Sequence, residues 1–83
     1  MTTPDWLARH DGELRLAPDG RTRVVIIDGA PQYKLTPTPA AGRHSCMIVQ
    51  TVNGKRLDKG QSHASVDEAV RGGLDELQAY LGW

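Results

Sequence analysis

Ser65-Val66-Asp67-Glu68-Ala69-Val70-Arg71-Gly72-Gly73-Leu74-Asp75-Glu76-Leu77-Gln78-Ala79-Tyr80-Leu81-Gly82 is the stretch from which the fold is read. A hydroxyl followed three residues later by a carboxylate is a capping box, in which Ser65 and Glu68 each accept from an orphan amide at a helix start. Val66, Val70, Gly73, Leu74, Leu77 and Leu81 recur at three- and four-residue intervals and draw one apolar stripe, with Ala69 and Tyr80 at its border. Asp67, Arg71, Asp75 and Gln78 occupy the wet side, where Asp67 and Arg71, then Arg71 and Asp75, are spaced to pair. Gly82 supplies the stop. The spacing predicts an amphipathic helix over 65–81 that covers one side of another layer.

That layer is written upstream as turns. Asp11-Gly12, Asp19-Gly20, Asp28-Gly29 and Asn53-Gly54 are pairs that tolerate positive φ, as tight hairpins require. They separate five short segments rich in β-branched or alternating apolar residues: 13–17, 22–27, 32–36, 45–52 and 55–59. Each Asp stands alone before its Gly, without the alternating oxygen ligands of a calcium loop, so these pairs read as turns. Pro37-Thr38-Pro39-Ala40-Ala41-Gly42 contains two residues without an amide donor and reads as a loop between the third and fourth strands. Thr3-Pro4-Asp5 resembles a cap, a first-turn proline and a first-turn acid, which predicts a short helical turn over 4–9 carrying Trp6 and Leu7. The fold class is therefore α+β: an antiparallel meander of about five strands within 13–59, with one C-terminal amphipathic helix packed on one face.

Length and composition bound the function. Eighty-three residues make one small domain, 1–83, with no room for a separate catalytic one. Ten Lys and Arg balance ten Asp and Glu, so the overall charge singles out neither a polyanion nor a membrane. The distribution is uneven, however. Nine bases against six acids through Gly60 leave +3, and Arg71 against Asp67, Glu68, Asp75 and Glu76 leaves −3 in the remainder. A lone cysteine, Cys46, makes no internal disulfide and suggests a reducing, cytoplasmic setting. Residues 1–9 lack the pattern of an export signal, and no apolar run approaches the roughly 20 residues that span a bilayer.

Candidates for chemistry are few. His44 and Cys46 share a face if they lie on one strand, and His63 adds a third nitrogen or sulfur donor, but structural zinc sites use paired clusters of four. A Ser or Cys nucleophile needs a base and an orienting third group, and His44-Ser45-Cys46 offers only sequence adjacency, with Ser45 pointing to the face opposite its two neighbours. Gly72-Gly73 lies inside the helical pattern, away from any phosphate-cradling position. No catalytic residue, cofactor or metal is assigned, and the reading is not that of an enzyme. Each of the two glycines costs a helix about 1 kcal/mol relative to Ala, which predicts a close approach of helix to sheet at Gly73.

Residues 45–81 loosely resemble the strand, hairpin and helix that close a double-stranded-RNA-binding domain. Those domains present lysines at the helix start, whereas this helix begins with Asp67 and Glu68, which repel phosphates. The pattern is also similar to the three-strand-plus-helix DNA readers at the N-termini of some integrases. That resemblance implies a basic sheet surface of Arg15, Arg23, Lys34 and Lys55 for nucleic acid.

Turn chemistry also sorts side chains onto faces. A turn at Asp19-Gly20 sets Leu16 opposite Arg23 and Leu14 opposite Val25, giving one apolar face of Leu14, Leu16, Val25 and Ile27. A turn at Asp28-Gly29 places Val24 and Ile26 with Tyr33 and Leu35 on a second. One helix covers one face, so the other needs a partner. The expected function is a protein-interaction module that self-associates through Leu14, Leu16, Val25, Ile27 and Trp6, with weak nucleic-acid binding as the alternative.

Overall fold

The computed structural model describes residues 3–83; Met1 and Thr2 lie outside the described residues. Asp28 and Gly29 both adopt positive φ, 53° and 76°, the combination that a two-residue hairpin needs to match strand twist. This turn joins β2 (Arg23–Ile27) to β3 (Ala30–Ala40). β1 (Gly12–Leu16) precedes them, and β4 (Arg43–Gln50) and β5 (Ser62–His63) follow. All five strands pair antiparallel in chain order, β1-β2-β3-β4-β5, a meander. The first hairpin has the expected register, with Leu14 opposite Val25 and Leu16 opposite Arg23.

The second hairpin departs from it. Ile26 pairs with Pro31, but Val25 pairs with Tyr33, so Gln32 is an extra residue on β3 and the register shifts there. Because side chains alternate with period two, one inserted residue moves everything beyond it to the other face. Tyr33 and Leu35 consequently stand with Val25, not with Val24 and Ile26 as a regular ladder requires. Thr51 satisfies the bulge: its amide donates to the Gln32 carbonyl at 3.0 Å and its hydroxyl to that of Pro31 at 2.6 Å. Proline, which has no ladder donor, fits at such a bulge.

The Pro37–Gly42 segment is not the expected loop. β3 runs through Pro37 and Pro39 to Ala40, pairing with β4 as far as Arg43, and the turn is Ala41-Gly42, with φ of 50° and 79°. The reason is where the missing donors fall. An extended residue's N and C=O point to the same side, and the Pro37 carbonyl accepts from the Arg21 guanidinium, beyond the end of β2. Both prolines thus turn their donor-less nitrogens toward the edge that β2 leaves open, and the ladder to β4 loses nothing. The expected fifth strand at 55–59 is also displaced. Only Arg56 bridges β4, opposite Val49, and the chain rejoins β4 as β5, where His63 faces His44.

α2 (Val66–Leu81) has the predicted ends. Ser65 Oγ accepts from the Glu68 amide at 3.1 Å, Glu68 Oε2 accepts from the Ala64 amide at 3.3 Å, and Gly82 closes the helix in the left-handed region. Its buried residues, Ala69, Val70, Gly73, Leu74 and Leu77, meet Val25, Tyr33, Leu35, Cys46 and Ile48 of the sheet. α1 (Asp5–Ala8) is capped by Pro4 without a side-chain bond; Thr3, the expected cap, instead accepts from the Leu14 amide at 3.1 Å. Leu7 drops fully buried into the same core, and the indole of Trp6 meets that of Trp83 edge-on at 6.2 Å. His10 stacks on Trp83 at 3.8 Å, tying α1 to the end of α2. Among the described residues, no helix is long and apolar enough to cross a membrane.

Gly73 is where helix and sheet come closest: a Cβ added there lies 2.6 Å from Cys46 Sγ and 3.2 Å from Leu35 Cδ2. At Gly72 the neighbour is the His63 ring, 2.5 Å away, a half-buried side chain with room to swing. Gly73→Leu, although a better helix former, is expected to lower stability by about 1–3 kcal/mol through overpacking. Gly72→Ala should cost clearly less. Chemical denaturation midpoints check both, and a midpoint that rises with Gly73→Leu contradicts the close packing.

Candidate functional site

The residues expected to form an apolar interface are mostly claimed by the protein's own core. Val25 has 0% of its surface exposed, and Leu14, Ile27 and Trp6 pack partly buried against the cluster that α1 and α2 close over. Leu16 alone stands out, 60% exposed at the end of β1. With Tyr33 and Leu35 turned onto this covered side, the second wholly apolar face does not exist.

The opposite side of the sheet is the surface that neither helix packs on. Its central row follows directly from the registers: Arg15 lies opposite Val24, Val24 opposite Lys34, Lys34 opposite Val49, and Val49 opposite Arg56. Three cations therefore alternate with two half-buried valines across the whole width of the sheet. Beside this row, Arg15, Leu16, Val24, Ile26, Pro31 and Lys34 line a shallow groove of about 580 Å³.

The three cations differ in their surroundings. Arg15 pairs with Glu13 at 2.7 Å in an exposed position where such a pair contributes little, about 0–1 kcal/mol. Arg56 grips Asp58 through two bonds, of 3.1 and 2.7 Å. Lys34 has no ion pair among the described residues. Asp58 also mends the sheet: with the chain leaving β4 after Arg56, its Oδ1 accepts from the Ile48 amide at 3.0 Å in place of a strand carbonyl. The Arg56 bond, with help from the Ile48 amide, holds the Asp58 carboxyl below its ordinary value.

Of the expected basic surface, Arg15 and Lys34 are brought together. Arg23 is not: paired with Leu16 and Leu35, it projects on the helix side and donates to the Arg21 carbonyl at 2.6 Å. Lys55 sits on the turn, its carbonyl accepting from Gln50, which also places it off the row. Arg56 takes its place. The signal for it was in the sequence: once Asn53-Gly54 is a turn, Arg56 is one residue further along and has the opposite parity to Lys55. Arg21, Arg23 and His44 gather instead around a separate cavity of about 220 Å³ beside Pro37, Pro39 and Val66.

His44, Cys46 and His63 all belong to the helix side, yet the described residues contain no group of three or more His, Cys, Asp or Glu placed to hold a metal ion. Burial pushes the Cys46 thiol up to about 12, which leaves it protonated and a poor nucleophile at neutral pH. The helix-surface pairs of Asp67 and Asp75 with Arg71 are not formed; the ion pairs among the described residues are Arg15–Glu13 and Arg56–Asp58. Comparison with protein-family models, curated proteins and solved structures finds no match for this chain.

Asp58→Ala should strand the Ile48 amide and lower stability by about 1–3 kcal/mol, whereas Asp58→Asn, which keeps an acceptor, should cost less. Acid acts in the same direction. Asp19, held at about 2 by the Thr22 hydroxyl and then the Arg21 and Thr22 amides, has a folded value below its ordinary 3.8, as does Asp58. A depressed folded value contributes stability above the ordinary value, and that contribution fades as pH falls. Denaturation followed from pH 5 down to about 2 should show a progressive loss, smaller in a variant carrying Asp19→Asn and Asp58→Asn.

Proposed function

We propose that this domain is a small protein-interaction module, working in a reducing, cytoplasmic setting, whose contact surface is the open face of its sheet. The observation that carries the reading is the row Arg15–Val24–Lys34–Val49–Arg56 on the side that neither helix covers. Aliphatic floor and basic studs suit an acidic protein surface with apolar side chains of its own: the valines offer area to bury, and the cations offer register. Duplex or single-stranded nucleic acid fits less well. Two of the three cations are already paired, and of the four aromatic rings Tyr33, Trp6 and Trp83 lie in or against the helix-side core while exposed Tyr80 stands near the end of α2, none of them on the open face. For a catalytic reading, the described residues offer no group placed to hold a metal ion, and burial keeps the Cys46 thiol protonated.

Polyglutamate and a duplex of comparable charge, titrated separately at low and physiological salt while backbone amide shifts are followed, test this reading. Polyglutamate should perturb Arg15, Val24, Lys34 and Val49, and Lys34→Glu together with Arg15→Glu should abolish the effect. Perturbation elsewhere, or duplex binding much tighter than polyglutamate and falling steeply with salt, would overturn it.

A further inference from the structure

Charge in this chain is divided between two opposite outer surfaces. The open sheet face carries Arg15, Lys34 and Arg56, the outer two paired with Glu13 and Asp58 and Lys34 without an ion pair among the described residues, and the outside of α2, across the core from it, carries Asp67, Glu68 and Asp75 against Arg71 alone. We infer that the occupant of the open face is α2 of a second copy, so that copies join sheet to helix in a head-to-tail series. This rests on the reading of the open face as the contact surface.

Three other ways of self-associating are disfavoured by the structure. Stacking two open faces about a two-fold axis through their centre sets Lys34, which has no ion pair among the described residues, against its own copy, and like charges brought together are repulsive. Extending the sheet from β1 meets the Thr3 hydroxyl, which already occupies the outward Leu14 amide. Extending it from β5 offers only the two residues Ser62 and His63. Sheet against helix brings opposite charges together instead. Spacing agrees as well. Arg15 and Lys34 are two strands apart, about 9.6 Å, while Glu68 and Asp75 are seven residues apart on one helix face, about 10.5 Å.

Because donor and acceptor surfaces differ, the contact is heterologous and leaves one of each free at the ends of every assembly. Mass should therefore grow with concentration rather than stop at a dimer, and should fall back toward one chain as salt screens the contact.

Sedimentation of the full chain up to about 1 mM, at about 50 mM and about 500 mM salt, tests this, with circular dichroism confirming that each variant is folded. Wild type should show rising mass at low salt only. Lys34→Glu and Asp75→Lys, both at exposed positions, should each hold the protein at the mass of one chain. The double variant, with the charges exchanged, should recover association, and so should an equimolar mixture of the two single variants. A wild type that stays at one chain's mass throughout, or association that Asp75→Lys leaves untouched or that the double variant fails to recover, overturns the inference. If the wild type stays single while polyglutamate still perturbs Lys34 and its neighbours, the helix of a second copy is excluded and the open face remains a contact surface. If neither occurs, both readings fall.

Discussion

One extra residue, Gln32, set between Pro31 and Tyr33 opposite the Val25–Ile26 step of β2, decides which side chains of the sheet are inside. Without it, Val25 and Leu35 would face opposite ways, and a single helix could not cover both. With it, Val25, Tyr33, Leu35, Cys46 and Ile48 converge on the side that α2 and Leu7 close. The other side is left with Val24, Ile26, Lys34 and Val49, too sparsely apolar for a core and too apolar for an ordinary wet surface. A bulge of this kind leaves backbone groups outside the ladder, and its persistence requires partners for them. Thr51 provides two, from the far end of β4, so the inner hairpin and the β4 terminus hold each other in place.

Around that constraint the packing is tight where helix meets sheet and compensated where the ladder breaks. The close approach at Gly73 offsets the low helix propensity of the residue by letting Cys46 and Leu35 reach the helix backbone. At the other side of β4, the Asp58 carboxylate substitutes for a strand carbonyl that the chain no longer supplies. The short α1 is too small to be stable on its own and depends on contacts: Leu7 in the core, and Trp6, His10 and Trp83 packed together above it. These devices seal one face of the sheet and leave the other without a covering helix.

Physical consequences for function follow from that asymmetry. A sheet sealed on one side has a broad, rigid open face whose side chains are placed by strand registers rather than by loops, so its pattern of charges is geometrically defined. Arg15 and Arg56 at its margins are steadied by Glu13 and Asp58, and Lys34 at its centre has no ion pair among the described residues. The edges are less accessible: Thr3 blocks β1 at Leu14, and the prolines present no donors along the unpaired stretch of β3. Blunted edges of this kind keep the chain clear of open-ended strand pairing.

The features most legible in the sequence are local ones. The capping box at Ser65 and Glu68, the 3.6-residue stripe, the Gly82 stop and the close approach at Gly73 depend on residues within a turn or two of one another, and the Asp19-Gly20 hairpin sets its own register. The antiparallel sheet with a helix on one face follows from these. Face assignment beyond β2 depended instead on one inserted residue, whose carbonyl and whose neighbour's are satisfied by Thr51, some twenty positions away; Pro31 hinted at a bulge but did not place it. The β3 prolines looked like breakers because local propensity cannot show that β2 ends before them. Leu14, Leu16, Val25 and Ile27 do share a face, but parity carried through a regular second hairpin puts Tyr33 and Leu35 on the opposite one, so the sequence did not show that α2 and Leu7 close over this side. Arg15 and Lys34 were recognisable as basic sheet residues, yet their alignment with Val24, Val49 and Arg56 exists only across four strand pairings. Sequence determines what each segment prefers, and tertiary structure decides which segments share a face, because register is a property of paired strands and not of either strand alone.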